Sequence, residues 1–210
     1  MRKVLILLFL VVGLNGCHRS QVLASPKRVQ MSSAEYDVLS EWIENKIAAK
    51  GADNHIDQIV IYSTTDSDDN LVRRDDNGQL VPWQKAAASL REKASSLQQT
   101  TLDAYQKANS VQGFIHPSLH TSLRYQIVDA PQLDSFFNRG GGSWPAYYKQ
   151  FPGSQGILRF SRVGFNMDGT QALFYYSNSC GDLCGSGSYV VMQRHANHWV
   201  VEKEIVMWVS

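Results

Sequence analysis

The chain predicts an α+β fold, with N-terminal helices packed on a C-terminal curved antiparallel β-meander, and three observations carry this. Helical periodicity is confined to the first two thirds of the sequence. From Ile157 onward, β-branched and aromatic residues gather in four runs separated by turn signals. One of these runs, Ala172-Leu173-Phe174-Tyr175-Tyr176, is apolar or aromatic on both alternating faces. It therefore lies at the centre of the sheet, or helices cover one of its faces and a partner, ligand or loop covers the other.

Ser32-Ser33-Ala34-Glu35 has the spacing of a capping box, and Tyr36, Leu39, Ile43 and Ile47 follow at helical intervals until Gly51 offers a stop. Ile56 to Ser63 reads as a strand and Thr64 to Gly78 as a polar loop. Pro82 fits the first turn of a long helical region with Trp83, Ala86, Ala87, Leu90, Ala94 and Leu97 on one face; Thr100 recaps a second segment bearing Leu102 and Tyr105. Leu123 to Asp129 is a short strand. Pro131 opens a brief helix that Gly140-Gly141-Gly142 ends, and Ser143 caps another from Trp144 to Gln150. The four closing strands are Ile157 to Asn166, Gln171 to Ser179, Ser188 to Arg194 and Trp199 to Val209. Met167-Asp168-Gly169-Thr170 joins the first two with a type I′ hairpin signal.

Lysine and arginine number 20 against 19 acidic residues, with 43% hydrophobic and 10% aromatic residues. Near-neutral charge argues against a protein that tracks nucleic-acid phosphates, and the aromatic content argues against disorder. Arg2 and Lys3 precede an apolar run from Val4 to Leu14, too short to span a bilayer but suited to a signal peptide. The run ends in Leu14-Asn15-Gly16-Cys17, which resembles the bacterial lipobox, with Asn15 an uncommon residue at its position. The resemblance implies cleavage before Cys17 and lipidation of its thiol. It gives residues 1–16 as signal peptide, 17–30 as a lipidated flexible tether and 31–210 as one domain. His18, where Asp would imply inner-membrane retention, points to the outer membrane.

Phe160-Ser161-Arg162-Val163-Gly164-Phe165-Asn166, Cys180-Gly181-Asp182-Leu183-Cys184-Gly185-Ser186-Gly187 and the ending Trp208-Val209-Ser210 resemble a group of uncharacterised bacterial secreted and lipoprotein-like proteins. The resemblance covers about the last 60 residues. It implies an extracytoplasmic address and supplies no catalytic residue.

Five constellations bear on function. Cys180 and Cys184, between two strands of a chain expected in an oxidising compartment, are spaced for a disulfide that closes the loop, with free thiols or a redox-active or metal-binding pair as the alternatives. His116 with His120, and His195 with His198, read as exposed loop and turn residues; a metal site needs further ligands. Asp66-Ser67-Asp68-Asp69-Asn70 mimics a calcium loop, but Leu71 and Asn77 stand where glycine and glutamate are needed, so it reads as a solvated acidic loop. Glu202 and Glu204 sit on one face of the last strand and, with a histidine as the alternative, are the candidate acid or base of a hydrolase, although solvated carboxylates are the commoner arrangement. Trp144, Tyr147, Tyr148 and Phe151 are a candidate binding surface, suited to stacking on sugar rings, or else a core-facing stripe. No motif for a nucleotide, metal or other cofactor is present, and none is expected. The sequence thus predicts a lipid-anchored cell-envelope protein, a binding module for an envelope protein or glycan, with a glycan or peptide hydrolase as the alternative.

Overall fold

A computed structural model describes residues 28–49, 56–66, 79, 81–137 and 143–210. Strands β1 (Arg28–Gln30) and β3 (Gln112–Phe114) form a parallel two-stranded ribbon. The main sheet comprises β2 (Gln58–Tyr62), β4 (Arg124–Val128), β5 (Ser154–Phe160), β6 (Gly164–Phe165), β7 (Gln171–Gly181), β8 (Cys184–His195) and β9 (His198–Val209). Its order is β4-β2-β5-β7-β8-β9, with β6 also on β7. The helices are α1 (Ser33–Ile43), continued by a π-helical turn at Glu44–Ala48, then α2 (Trp83–Lys93), α3 (Gln99–Asn109), α4 (Ala130–Phe137) and α5 (Trp144–Gln150).

The fold is α+β, and the sheet is mixed. Strands β5 to β9 make the antiparallel half that the sequence predicts. Strands β4 and β5 flank β2 in parallel, which the antiparallel expectation lacks. Parallel neighbours are joined by long crossovers instead of hairpins, so no turn residue in the sequence signals the pairing.

Successive residues of β7 and β8 enter different cores. Phe174 and Val190 pack with Tyr36, Leu39 and Trp42 of α1, whose indole meets Phe160 and Phe174 edge-on at 5.8 Å. Leu173 and Val191 pack with Leu90 of α2 and Leu102 and Tyr105 of α3. A third cluster joins Val60, Val128 and Ile157 to Leu133 of α4 and to Tyr147 and Phe151 of α5. Because strand side chains alternate, α1 covers one face and the other four helices the opposite one. That explains the two-sided hydrophobicity of Ala172–Tyr176: β7 is central and covered on both faces.

Several boundaries differ from expectation. Arg28, Val29 and Gln30, which the sequence reading places in the tether, pair as β1 with β3. The strand expected over Ile157–Asn166 breaks at Arg162, whose N–H donates to Asn109 Oδ1 at 2.8 Å and whose C=O accepts from Asn109 Nδ2 at 3.2 Å. A side chain from α3 thereby replaces the strand ladder. Pro82 is the N-cap of α2, and α3 starts at Gln99 without a cap from Thr100. Its start is pinned from the sheet, where Gln171 Oε1 accepts from Gln98 N–H and Thr101 Oγ1, both at 2.9 Å. The turn at 167–170 is not type I′. Gly169 alone takes positive φ, 66°, while Asn166 Oδ1 accepts from Thr170 N–H and Gln171 N–H at 2.8 Å. The expected helix stops at Gly51 and Gly140–Gly142 lie outside the described residues, as do Cys17 and the polar loop beyond Asp66.

Candidate functional site

The carboxyl ends of parallel strands are where open α/β sheets bind ligands, because strand ends and following loops converge there. Here Tyr62 ends β2, Asp66 follows it, and Arg159 lies one residue from the end of β5. The Arg159 guanidinium stacks over the Tyr62 ring at 3.8 Å, and its Nη1 is 3.9 Å from Asp66 Oδ1. A cavity of about 270 Å³ opens beside it, bordered by Leu133, Asp134 and Phe137 of α4, Trp144 of α5, and Ile157, Arg159 and Ser179 of the sheet. Aromatic walls beside a planar cation form a chemistry for an anionic group carried on a ring or apolar body.

Asp66 is buried. Its N–H donates to Phe160 O at 2.8 Å and it bridges to Ser161, which fixes the backbone. Burial pushes its carboxyl above the ordinary range, and Arg159 offsets only part of this. The expected solvated acidic loop therefore does not begin at Asp66, because this residue extends β2 into the sheet. Across the same face, the Trp208 indole donates to the Tyr175 hydroxyl at 2.7 Å. Gly187 lies beneath them, and a methyl there would force the Tyr175 and Trp208 side chains to shift.

The aromatic surface predicted on α5 divides in two. Tyr147 and Phe151 are buried in the core, which corrects their assignment to a contact surface: helical spacing turns them towards α4 and the sheet. The Tyr147 hydroxyl donates to Gly156 O at 2.9 Å, and burial pushes its pKa up to about 12. Tyr148 is half-buried and donates to Cys180 O at 2.9 Å; Trp144 alone of the four borders the cavity.

Cys180 and Cys184 form a disulfide across the β7–β8 turn, with Cα atoms 5.0 Å apart. Glu202 and Glu204 lie in different environments. A bulge between the partners of Val191 and Met192 leaves Glu202 outside the register, and it is exposed. Glu204 is half-buried, ion-paired with Lys46 from the π-helical turn and accepting from the Tyr176 hydroxyl at 2.6 Å. Burial raises its pKa, but Lys46 and Tyr176 outweigh that and hold it below the usual range. His116, His120, His195 and His198 are exposed, and His198 Nδ1 lies 3.0 Å from Glu41 Oε1. Among the described residues, no three His, Cys, Asp or Glu side chains converge to hold a metal.

A larger groove, about 500 Å³, runs along α1 between Asp37, Glu41, Glu44, Arg194 and Trp199. Glu41 is engaged with His198, and Glu44 with the N–H and hydroxyl of Ser122, so the Arg159 cavity offers the better-defined polar anchor. Sequence reasoning missed Arg159 because an arginine within an apolar run carries no distinguishing signal. The one hint was its alternation with Ile157, which places both on the same sheet face. Comparison of the chain with family models, with characterised proteins and with solved structures finds no match.

Proposed function

We propose that this chain is a binding module of the bacterial cell envelope, lipidated on Cys17 and held at the periplasmic face of the outer membrane, akin to the secreted and lipoprotein-like group its C-terminal motifs resemble. Its binding site is the Arg159 cavity, and its ligand is a small organic anion carried on a ring, such as an acidic sugar of an envelope glycan. The observation that carries the reading is the Arg159 guanidinium, stacked on Tyr62 beside a cavity walled by Phe137 and Trp144. A guanidinium with its face occupied keeps its edge donors for a carboxylate, and aromatic rings take the apolar face of a sugar.

Two measurements test this. Titration of the mature protein in detergent with glucuronate gives a saturable change in tryptophan fluorescence that glucose does not give. Arg159→Ala weakens it by about tenfold or more, the worth of a charge-assisted hydrogen bond. Equal responses to both sugars sink the site. Cys17→Ser abolishes globomycin-sensitive processing and detergent partitioning, and unchanged behaviour rules out the anchor.

A further inference from the structure

We infer that the cavity takes its carboxylate together with one proton, and that Asp66 receives that proton. This rests on the reading of the Arg159 cavity given above and adds the thermodynamic form of the binding step.

The geometry sets up a competition. Asp66 is buried at the end of the β2 extension, with its backbone fixed to Phe160. Among the described residues, the cation it faces is Arg159, at 3.9 Å, longer than a hydrogen bond. Arg162 is already bound by Glu35 through two hydrogen bonds, of 2.6 and 2.9 Å. A ligand carboxylate that docks on the partly exposed edge of Arg159 brings a second anion to the cation that buried Asp66 faces. When two carboxylates share one cation, the one that burial already drives towards its neutral form takes up the proton. The ligand gains paired hydrogen bonds from the guanidinium, and Asp66 holds Arg159 only at ion-pair distance, so the proton goes to Asp66. The solvent supplies it, one proton entering per carboxylate bound, with no covalent bond made or broken. Among the described residues, the other titratable groups near Asp66 and the cavity are Tyr62 beneath Arg159, Tyr175, which burial keeps protonated, and Asp134 on α4 across the cavity.

Calorimetric titration of the full mature protein with glucuronate, at one near-neutral pH in buffers of different ionisation enthalpy, reads the proton count directly. The expected result is uptake approaching one proton per ligand, with affinity rising as pH falls by up to about tenfold per unit. Asp66→Asn, or Asp66→Ser should the first variant fold poorly, binds without uptake, shows a flat pH profile and binds more tightly at neutral pH. Asp134→Asn keeps the uptake. Binding without uptake in the unmodified protein overturns the inference and leaves the cavity reading standing, as does uptake that persists without Asp66 or vanishes with Asp134. Absence of glucuronate binding overturns both.

Discussion

Asp66 and Glu35 are both buried acids, and their partners decide which way each is driven. Burial opposes ionisation of Glu35, but two bonds from Arg162 with the N–H groups of Ser32 and Val163 more than offset it, so its pKa is lowered. A carboxylate depressed on folding stabilises above its unfolded pKa, here near 4.5, and that contribution is lost as pH falls through the folded value. Arg162→Ala leaves Glu35 charged in the interior and costs about 3–5 kcal/mol by urea denaturation at neutral pH, the range for breaking a buried pair. The cost shrinks in acid as Glu35 protonates; a loss no greater than that of a surface substitution would show the pair to be idle. Asp66 runs the other way. Its raised pKa favours the folded state below the unfolded value near 3.8, and this is lost as pH rises through the folded value. Asp66→Asn therefore raises the urea midpoint at neutral pH, with the gap closing in acid, and a gap independent of pH contradicts the assignment.

Elements were legible where their signals are local. The capping box at Ser32 and Glu35 forms as the spacing predicts, with Ser32 N–H donating to Glu35 Oε2 at 2.8 Å. Nothing local reveals that the same Glu35 also binds Arg162, 127 residues away. Turn chemistry was less legible, because Asn166 sets the loop at 167–170 by accepting from residues beyond it, and the dipeptide Asp168-Gly169 looks the same in either turn type. The β8–β9 turn carries a strain that its sequence does not announce: Ala196 adopts φ 53°, a region disfavoured for a residue with a Cβ. Ala196→Gly removes that clash, about 1–2 kcal/mol, at the cost of a looser unfolded chain, about 0.4–1 kcal/mol, for a net gain on the order of 0.5–1 kcal/mol in thermal or urea unfolding. A loss on substitution would mean that the methyl group contributes packing beyond the turn.

At the scale of the whole molecule, the order of helices and strands could be read, and the sheet's parallel half could not. Pairing β2 with β4 and β5 depends on crossovers whose closing contacts are non-local. The candidate site inherits that difficulty, since Tyr62, Asp66, Trp144 and Arg159 meet only once those strands are aligned. The N-terminal boundary follows the same rule. Polar composition makes residues 17–30 look like one tether, yet Arg28, Val29 and Gln30 pair with Gln112, Gly113 and Phe114, and the Arg28 guanidinium lies 5.1 Å from the Phe114 ring. A chain beginning at Arg28 is the reference against which the ribbon's contribution is read. One beginning at Met31 loses the ribbon's ladder bonds, each worth about 0.5–1.5 kcal/mol net, and becomes less stable by about 1–3 kcal/mol. The loss should stay local in origin, because Met31 remains buried and the Ser32 cap is untouched. Restoring the three residues with Val29 replaced by proline removes one backbone donor and should recover only part of the difference. Coincident unfolding of all these chains would make the β1–β3 ribbon energetically neutral.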